Sequence, residues 1–373
     1  MSAPLIIIHA LRLHEGLARH PGGNFSHISH LLPSLVPLLQ ESGFRVCVLV
    51  DELGARDLSK TMPREWLEII GSSRDTVFRS DLLVRAAVKR LGPVIYYRPT
   101  GQLPWSDLGC LSIAGVADLN FRWLKIPFIK RIYKELSYRW SFACADRIIC
   151  ISKFTRDDVA EKFGVSTEKL RVVHHGTPYL PDAVDGKLVS GRYWLTFGHQ
   201  SHKNVELCLN AWPKHIINFP EDKLVVVGQN AHVNEVLKPL ARRLGVSNHV
   251  VFPGWISNPV LSGLYSKAQG LLFVSRFEGF GLPILEAMSA GCPVIASNVC
   301  SIPEVAGDAA ILISPDDVAG LVDAMKRLNQ PEVRIGLIQR SRIRVTQFTW
   351  RAASVKILSV MNELLYLSYS KKK

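Results

Sequence analysis

Ser275-Arg276-Phe277-Glu278-Gly279-Phe280-Gly281-Leu282-Pro283-Ile284-Leu285-Glu286-Ala287-Met288 is the stretch on which the reading of this chain turns. The apolar run Gly270-Leu271-Leu272-Phe273-Val274 just before it reads as a buried parallel strand. Glu278, two glycines and Pro283 follow, then good helix formers. Proline in a first helical turn forfeits no hydrogen bond, because the N–H groups there have no intrahelical acceptor. The stretch is therefore a strand, a glycine-rich turn and a helix. The amides of Phe280, Gly281 and Leu282 then stand at the positive end of the helix, which suits phosphate or another anion. Glu278 in the turn and Glu286, about one turn inside the helix, can both face one crevice at the strand's C-terminal edge. A helix cap plus a solvated face is the plainer account of such a pair. Two acids beside an anion site fit a ligand that offers hydroxyls as well as negative charge.

At 373 residues the chain has room for two domains with full cores. Its 47% hydrophobic and 21% charged content is that of a globular protein, with no low-complexity tract. Cys47, Cys110, Cys144, Cys150, Cys208, Cys292 and Cys300 form no CxxC pair and no metal-ligand spacing, which suits buried thiols in a reducing compartment. The histidines form no zinc pattern; His27 and His30 could share a helix face, but no further ligand lies near them in sequence. Pro4-Leu5-Ile6-Ile7-Ile8 lacks the basic leader and long apolar region of a signal peptide and reads as a first core strand. No stretch reaches the roughly 18 apolar residues of a spanning helix, so the expected location is cytoplasmic. A net charge of +13 calls for an acidic partner, nucleic acid or an anionic membrane face. No nucleic-acid-binding motif accompanies the charge, so no nucleic acid is expected.

Residues 6–10 read as a strand, Pro21-Gly22-Gly23-Asn24-Phe25-Ser26 as a glycine-rich loop, 30–41 as a helix and 45–50 as a second strand. That is a βαβ unit with its loop where phosphates and sugars bind. Residues 60–110 carry weaker signals, with a basic helix over 80–91 and a strand over 94–97. A strand over 110–116 leads to Ala117-Asp118-Leu119, where Asp118 serves either ligand binding or a helix N-cap. Residues 122–139 interleave Lys130, Arg131, Lys134 and Arg139 with Ile129, Tyr133 and Leu136, cations on one helix side and apolar groups on another. Such a helix suits an anionic lipid surface; the plainer account is a surface helix whose apolar side packs on the domain. A strand over 147–151 ends at Ser152, which lines a ligand site or caps the next helix. Residues 178–191, polar and rich in proline and glycine, read as a linker. The α/β alternation then restarts, with strands over 193–197, 223–228 and 310–313, helices over 205–216 and 316–328, and a last helix to residue 369.

The wording Glu278-x7-Glu286, with Gly291-Cys292-Pro293-Val294-Ile295-Ala296-Ser297 and Ile302-Pro303-Glu304-Val305-Ala306-Gly307 after it, closely resembles the donor-site signature of family-4 glycosyltransferases. The resemblance implies retaining, nucleotide-sugar-dependent enzymes of the GT-B fold, two Rossmann-like doubly wound α/β domains facing across a cleft. Domains over 1–180 and 181–350 are expected, with residues 351–373 forming a helix that crosses back to the first. In such enzymes Gly22 and Gly23 would face the donor phosphates. Lys203, with Asn204 after it, stands at the family's diphosphate-gripping lysine. His199 occupies the place of its usual arginine, a weaker and pH-sensitive substitute, and Ala117 that of a usual histidine. Trp255 would line the nucleotide end of the site.

By the same resemblance Glu286 would accept from ribose hydroxyls and Glu278 from a sugar hydroxyl. Lys203 and the amides of Gly279, Phe280, Gly281 and Leu282 would stabilise the departing phosphate, and Glu278, Lys203 and Asp118 would form the catalytic group. No protein nucleophile and no metal ion are expected. Overall likeness to bacterial mannosyltransferases of surface-polysaccharide synthesis implies mannose from GDP-mannose as donor and a glycan or lipid-linked acceptor. The anionic inner-membrane surface is then the expected partner. Two other readings stay open: a scaffold of membrane or polysaccharide assembly that kept the fold and lost turnover, and a sugar-nucleotide epimerase on the same fold.

Overall fold

The computed structural model describes residues 3–11, 23–124 and 126–370. The chain forms two compact units, Met1–Gly176 with Thr349–Lys373, and Thr177–Phe348.

Short apolar runs without polar alternation become strands covered on both faces. In the first unit these are β1 (Leu5–His9), β2 (Arg45–Asp51), β3 (Leu67–Gly71), β4 (Ile95–Arg98), β5 (Leu111–Val116), β6 (Arg147–Cys150) and β7 (Leu170–Val172). They pair in the order β3-β2-β1-β4-β5-β6-β7, all parallel. Strand order reverses between β1 and β4, the switch point at which doubly wound sheets bind ligands beyond their C-terminal strand ends. Alternate residues of β1 serve opposite layers. Ile6 and Ile8 meet Ile28, Leu31 and Leu35 of helix Gly23–Glu41, with Ile357, Val360, Met361 and Leu364 of helix Trp350–Ser370. Leu5 and Ile7 pack in the layer of Val84, Val88, Tyr138 and Phe142. The last helix thus returns to complete the first unit's core. Trp350 at its start stacks on His27 and His30, 5.7 Å between ring centroids in each case, so these histidines are packing partners.

In the second unit β8 (Tyr193–Phe197), β9 (Lys223–Val227), β10 (Val250–Gly254), β11 (Leu271–Phe273), β12 (Val294–Ser297) and β13 (Ala310–Ile313) pair parallel in the order β10-β9-β8-β11-β12-β13. The same reversal falls between β8 and β11. Both units are Rossmann-like.

Several local expectations shift. Helix Gly23–Glu41 starts seven residues earlier than the pattern suggested, so Gly23 opens a helix and is not part of a loop. Gly22 lies outside the described residues. The presumed linker has no regular element but is not loose: Val184 N donates to Pro259 O at 3.0 Å and Lys267 pairs with Asp185, seating it on helix Asn258–Lys267. The basic aromatic segment forms helix Phe128–Cys144, and it packs through Ser137, Tyr138, Ser141 and Phe142. Its apolar stripe points the other way, to solvent, which corrects the plainer account. Among the described residues no helix is long and apolar enough to cross a membrane.

Candidate active site

β11 ends at Phe273 and the chain reaches helix Leu282–Ser289 through the glycine turn. Gly281, the residue before that helix, has φ +110°, which side chains rarely adopt. A Cβ there would also stand 3.3 Å from Ile284 Cδ1 and 3.5 Å from the Phe273 ring. Glycine therefore sets the angle at which the chain enters the helix, and Pro283 occupies the first turn.

Lys203 reaches this turn from the end of β8. A single tight turn, Ser201–Lys203, leads to Asn204 in the left-handed region at φ +57°. Asn204 Nδ2 donates to Val274 O at 3.0 Å and Pro315 O at 2.8 Å, while Arg276 N donates to His202 O at 2.8 Å. The lysine loop is thereby stitched to the end of β11. Lys203 Nζ then lies 2.7 Å from Glu278 Oε1, the side chains only 10% and 12% exposed, with the ammonium 5.1 Å from the Phe273 ring centroid. A desolvated pair of this kind is costly to break without a substitute anion. A phosphate can displace Glu278 from the lysine and release its carboxylate for a hydroxyl. Ser301 Oγ lies 2.9 Å from both Glu278 O and Phe280 O and so ties down the carbonyls of the turn.

Glu286 sits on the helix with Tyr265 Oη donating to Oε2 at 3.0 Å. Burial pushes its carboxyl upward, against the opposing effects of Tyr265 and the Lys203 charge. Tyr265 itself is fully buried. His199, half-buried at the end of β8, lies 5.2 Å between ring centroids from Trp255, which follows β10 and is 41% exposed. Asn230 donates to the His199 carbonyl. The second unit thus gathers Lys203, Glu278, Gly279, Phe280, Gly281, Leu282 and Glu286 at one strand end, with His199 and Trp255 on the same C-terminal sheet edge.

Asp118 belongs to the first unit. Its Oδ1 accepts from Asn120 N at 2.9 Å and so shapes the short turn Asn120–Trp123 beyond β5. Ser152 caps helix Lys153–Phe163 by accepting from Thr155 N at 3.0 Å. The contacts of three supports of the second-unit site went unread: Tyr265, Ser301 and Asn204 lie 21, 23 and 70 residues from the partners they hold. No local pattern carries such pairings. Among the described residues no group of three or more His, Cys, Asp or Glu side chains could hold a metal ion.

Two parallel-sheet Rossmann-like units, one with a glycine turn at a helix start between two carboxylates, define the GT-B architecture of glycosyltransferases. Residues 34–178 match the family described as Glycosyltransferase Family 4, and residues 191–330 that described as Glycosyl transferases group 1. The chain thus carries one domain matching each of these two glycosyltransferase families. It is 29% identical over 243 residues to O-antigen chain mannosyltransferase B of Escherichia coli, covering 61% of this chain and 63% of that protein. To O-antigen chain mannosyltransferase RfbU of Salmonella typhimurium it is 28% identical over 216 residues, 58% of this chain and 60% of that one. The chain thus spans about three fifths of the length of the curated relatives it matches. A glycosyltransferase from Rickettsia africae shares the fold with a TM-score of 0.73 at 15% identity, over 98% of this chain and 99% of that one.

Proposed function

We propose that this protein is a retaining glycosyltransferase that moves mannose from GDP-mannose to a growing, lipid-linked surface glycan at the cytoplasmic face of the inner membrane. The observation that carries the reading is the Lys203–Glu278 pair, 2.7 Å apart beside the Gly281 helix start, with Glu286 on the helix itself. A nucleotide-sugar supplies a partner for each part. The diphosphate meets Lys203 and the helix N-terminus, the ribose hydroxyls donate to Glu286, and a sugar hydroxyl donates to Glu278. His199 and Trp255 line the nucleotide end.

In the transfer step the bond from the sugar's anomeric carbon to the phosphate oxygen breaks while a bond to the acceptor oxygen forms on the same face. The acceptor's proton passes to the departing phosphate. Lys203 and the helix end stabilise the charge that grows on that phosphate, which supplies the neutralisation a divalent cation would otherwise give. Asp118, in the first unit, is assigned to the acceptor. The choice of mannose rests on the two O-antigen mannosyltransferases named above.

The test is thermal unfolding of the purified protein with a panel of nucleotide-sugars. GDP-mannose and GDP are expected to raise the melting temperature, and a UDP-sugar to leave it unchanged. Stabilisation by a UDP-sugar alone overturns the donor. A product whose anomeric configuration differs from that of the donor overturns the retaining course.

A further inference from the structure

Helix Phe128–Cys144 is built the wrong way round for a surface helix that only packs. A soluble helix turns its apolar stripe to the core. Here Phe128 is 75% exposed and Ile129 83%, and Ile132, Tyr133 and Leu136 are exposed beside them. Phe128, Ile132 and Leu136 recur at intervals of four, and Ile129 and Tyr133 run alongside, so the five form one continuous strip. The opposite side is packed through Ser137, Tyr138, Ser141 and Phe142. Nothing about the fold requires five large apolar side chains on that strip, and contiguous apolar patches mark interaction sites.

We infer that this strip is the protein's membrane-docking surface, and that it inserts between the headgroups of an anionic phospholipid bilayer. The charges identify the occupant. Lys130 and Arg131 are exposed at the same end of the helix, and Lys134 rests over the Phe121 ring at 5.6 Å. The helix's single acid, Glu135, is already engaged by Arg122 and by Arg139. The surface therefore offers apolar groups flanked by Lys130 and Arg131, for which no ion pair is found among the described residues, and that is the composition of helices that lie in the plane of a negatively charged interface. A second copy of the same face would set Lys130 and Arg131 against their own equivalents, a like-charge juxtaposition that works against self-association. An uncharged apolar protein groove would leave the cations without partners.

The position gives the docking a purpose. The helix begins ten residues after Asp118, and Phe121, on which Lys134 rests, lies in the short turn that Asp118 shapes. Insertion would bring the C-terminal end of β5, on the first unit's ligand-binding edge, to the membrane surface. There an acceptor with a lipid anchor could be reached without leaving the bilayer. This last step rests on the proposed function, whereas docking itself does not.

Flotation of the full-length protein with phosphatidylglycerol-containing vesicles, and with vesicles of phosphatidylcholine alone, tests the inference. Binding is expected only to the former and should weaken with added salt. Lys130→Gln and Arg131→Gln should each lower the partition coefficient about fivefold. Ile129→Ser combined with Leu136→Ser should lower it about tenfold or more. These positions are exposed, so folding is not at stake, and an unchanged melting temperature confirms it. Equal binding to both vesicle types, no binding at low salt, or full binding by the variants overturns the docking surface. A wild-type dimer in gel filtration that the Ile129→Ser, Leu136→Ser variant dissolves would instead make the strip a subunit interface. Transfer to a water-soluble acceptor should be unaltered in every variant, so a failure of the proposed chemistry shows there and leaves the vesicle result intact.

Discussion

Glu286 is kept where its surroundings disfavour its charge. Burial raises its carboxyl above the ordinary glutamate range, while Tyr265 and Lys203 hold the ionised form in place. The sign follows from linkage: a carboxylate whose folded value is raised imposes no cost below its unfolded value, and the cost grows between the unfolded and the folded value and is constant above it. Glu286→Gln should therefore melt higher than wild type at neutral pH, with the difference vanishing in acid. The same substitution removes a charge-assisted acceptor for ribose, about 1.5–3 kcal/mol, or roughly ten- to a hundredfold in nucleotide affinity. Thermal melts across pH and calorimetric titration with the nucleotide check both halves. Unchanged affinity would take the ribose away from Glu286. The two glutamates and their glycine turn were legible because one short stretch contains them. Tyr265, which aims Glu286, was not, since its role exists only after helices Asn258–Lys267 and Leu282–Ser289 have packed together.

At the scale of elements, a buried bracket holds the second sheet's first strand to its neighbours. Asp222, 1% exposed just before β9, accepts from Trp194 Nε1 at 2.9 Å, His215 Nε2 at 2.9 Å and Arg192 Nε at 2.8 Å. Burial alone would raise its carboxyl, but these bonds outweigh it and bring the value down to about 2. With the folded value depressed, the bracket contributes fully above the unfolded range near 4 and is lost as pH falls through about 2. Asp222→Asn turns an amide donor toward groups that already donate and should cost about 2–4 kcal/mol at neutral pH. The midpoint of denaturant unfolding reads that loss, which should shrink as the pH is lowered toward the wild type's acid limit. Elements with strong runs of aliphatic residues, such as β1 and β9, were plain from the sequence. β3 and helix Pro331–Thr346 were not, because neither has a clear periodic face: β3 is only half-buried along its length, and the helix buries just Leu337 and Ser341.

For the whole molecule, the first unit's core is made from two distant parts of the chain. Ile357, Val360, Met361 and Leu364 complete the layer begun by Ile6, Ile8 and Ile28. Ile357→Ala removes a side chain that is 2% exposed and should destabilise the protein by about 2–5 kcal/mol. Because Thr349–Lys373 belongs to the Met1–Gly176 unit, the loss should fall on that unit. Hydrogen exchange should speed up in β1 and helix Gly23–Glu41 and remain as in wild type in β8 and β9. Equal acceleration in both sheets would show that the last helix supports them alike.

By itself the sequence determined the alternation of strands and helices, the glycine-rich turn at the helix start and the positions of the two glutamates. All of these follow from local rules of burial, backbone freedom and helix polarity, which act over a few residues. Only the tertiary structure decided which charges meet and which faces are covered: Lys203 on Glu278, Tyr265 on Glu286, and the apolar strip of helix Phe128–Cys144 turned outward. Periodicity defines the faces of a helix, but the free energy that assigns one of them to the core depends on what the rest of the chain brings against it.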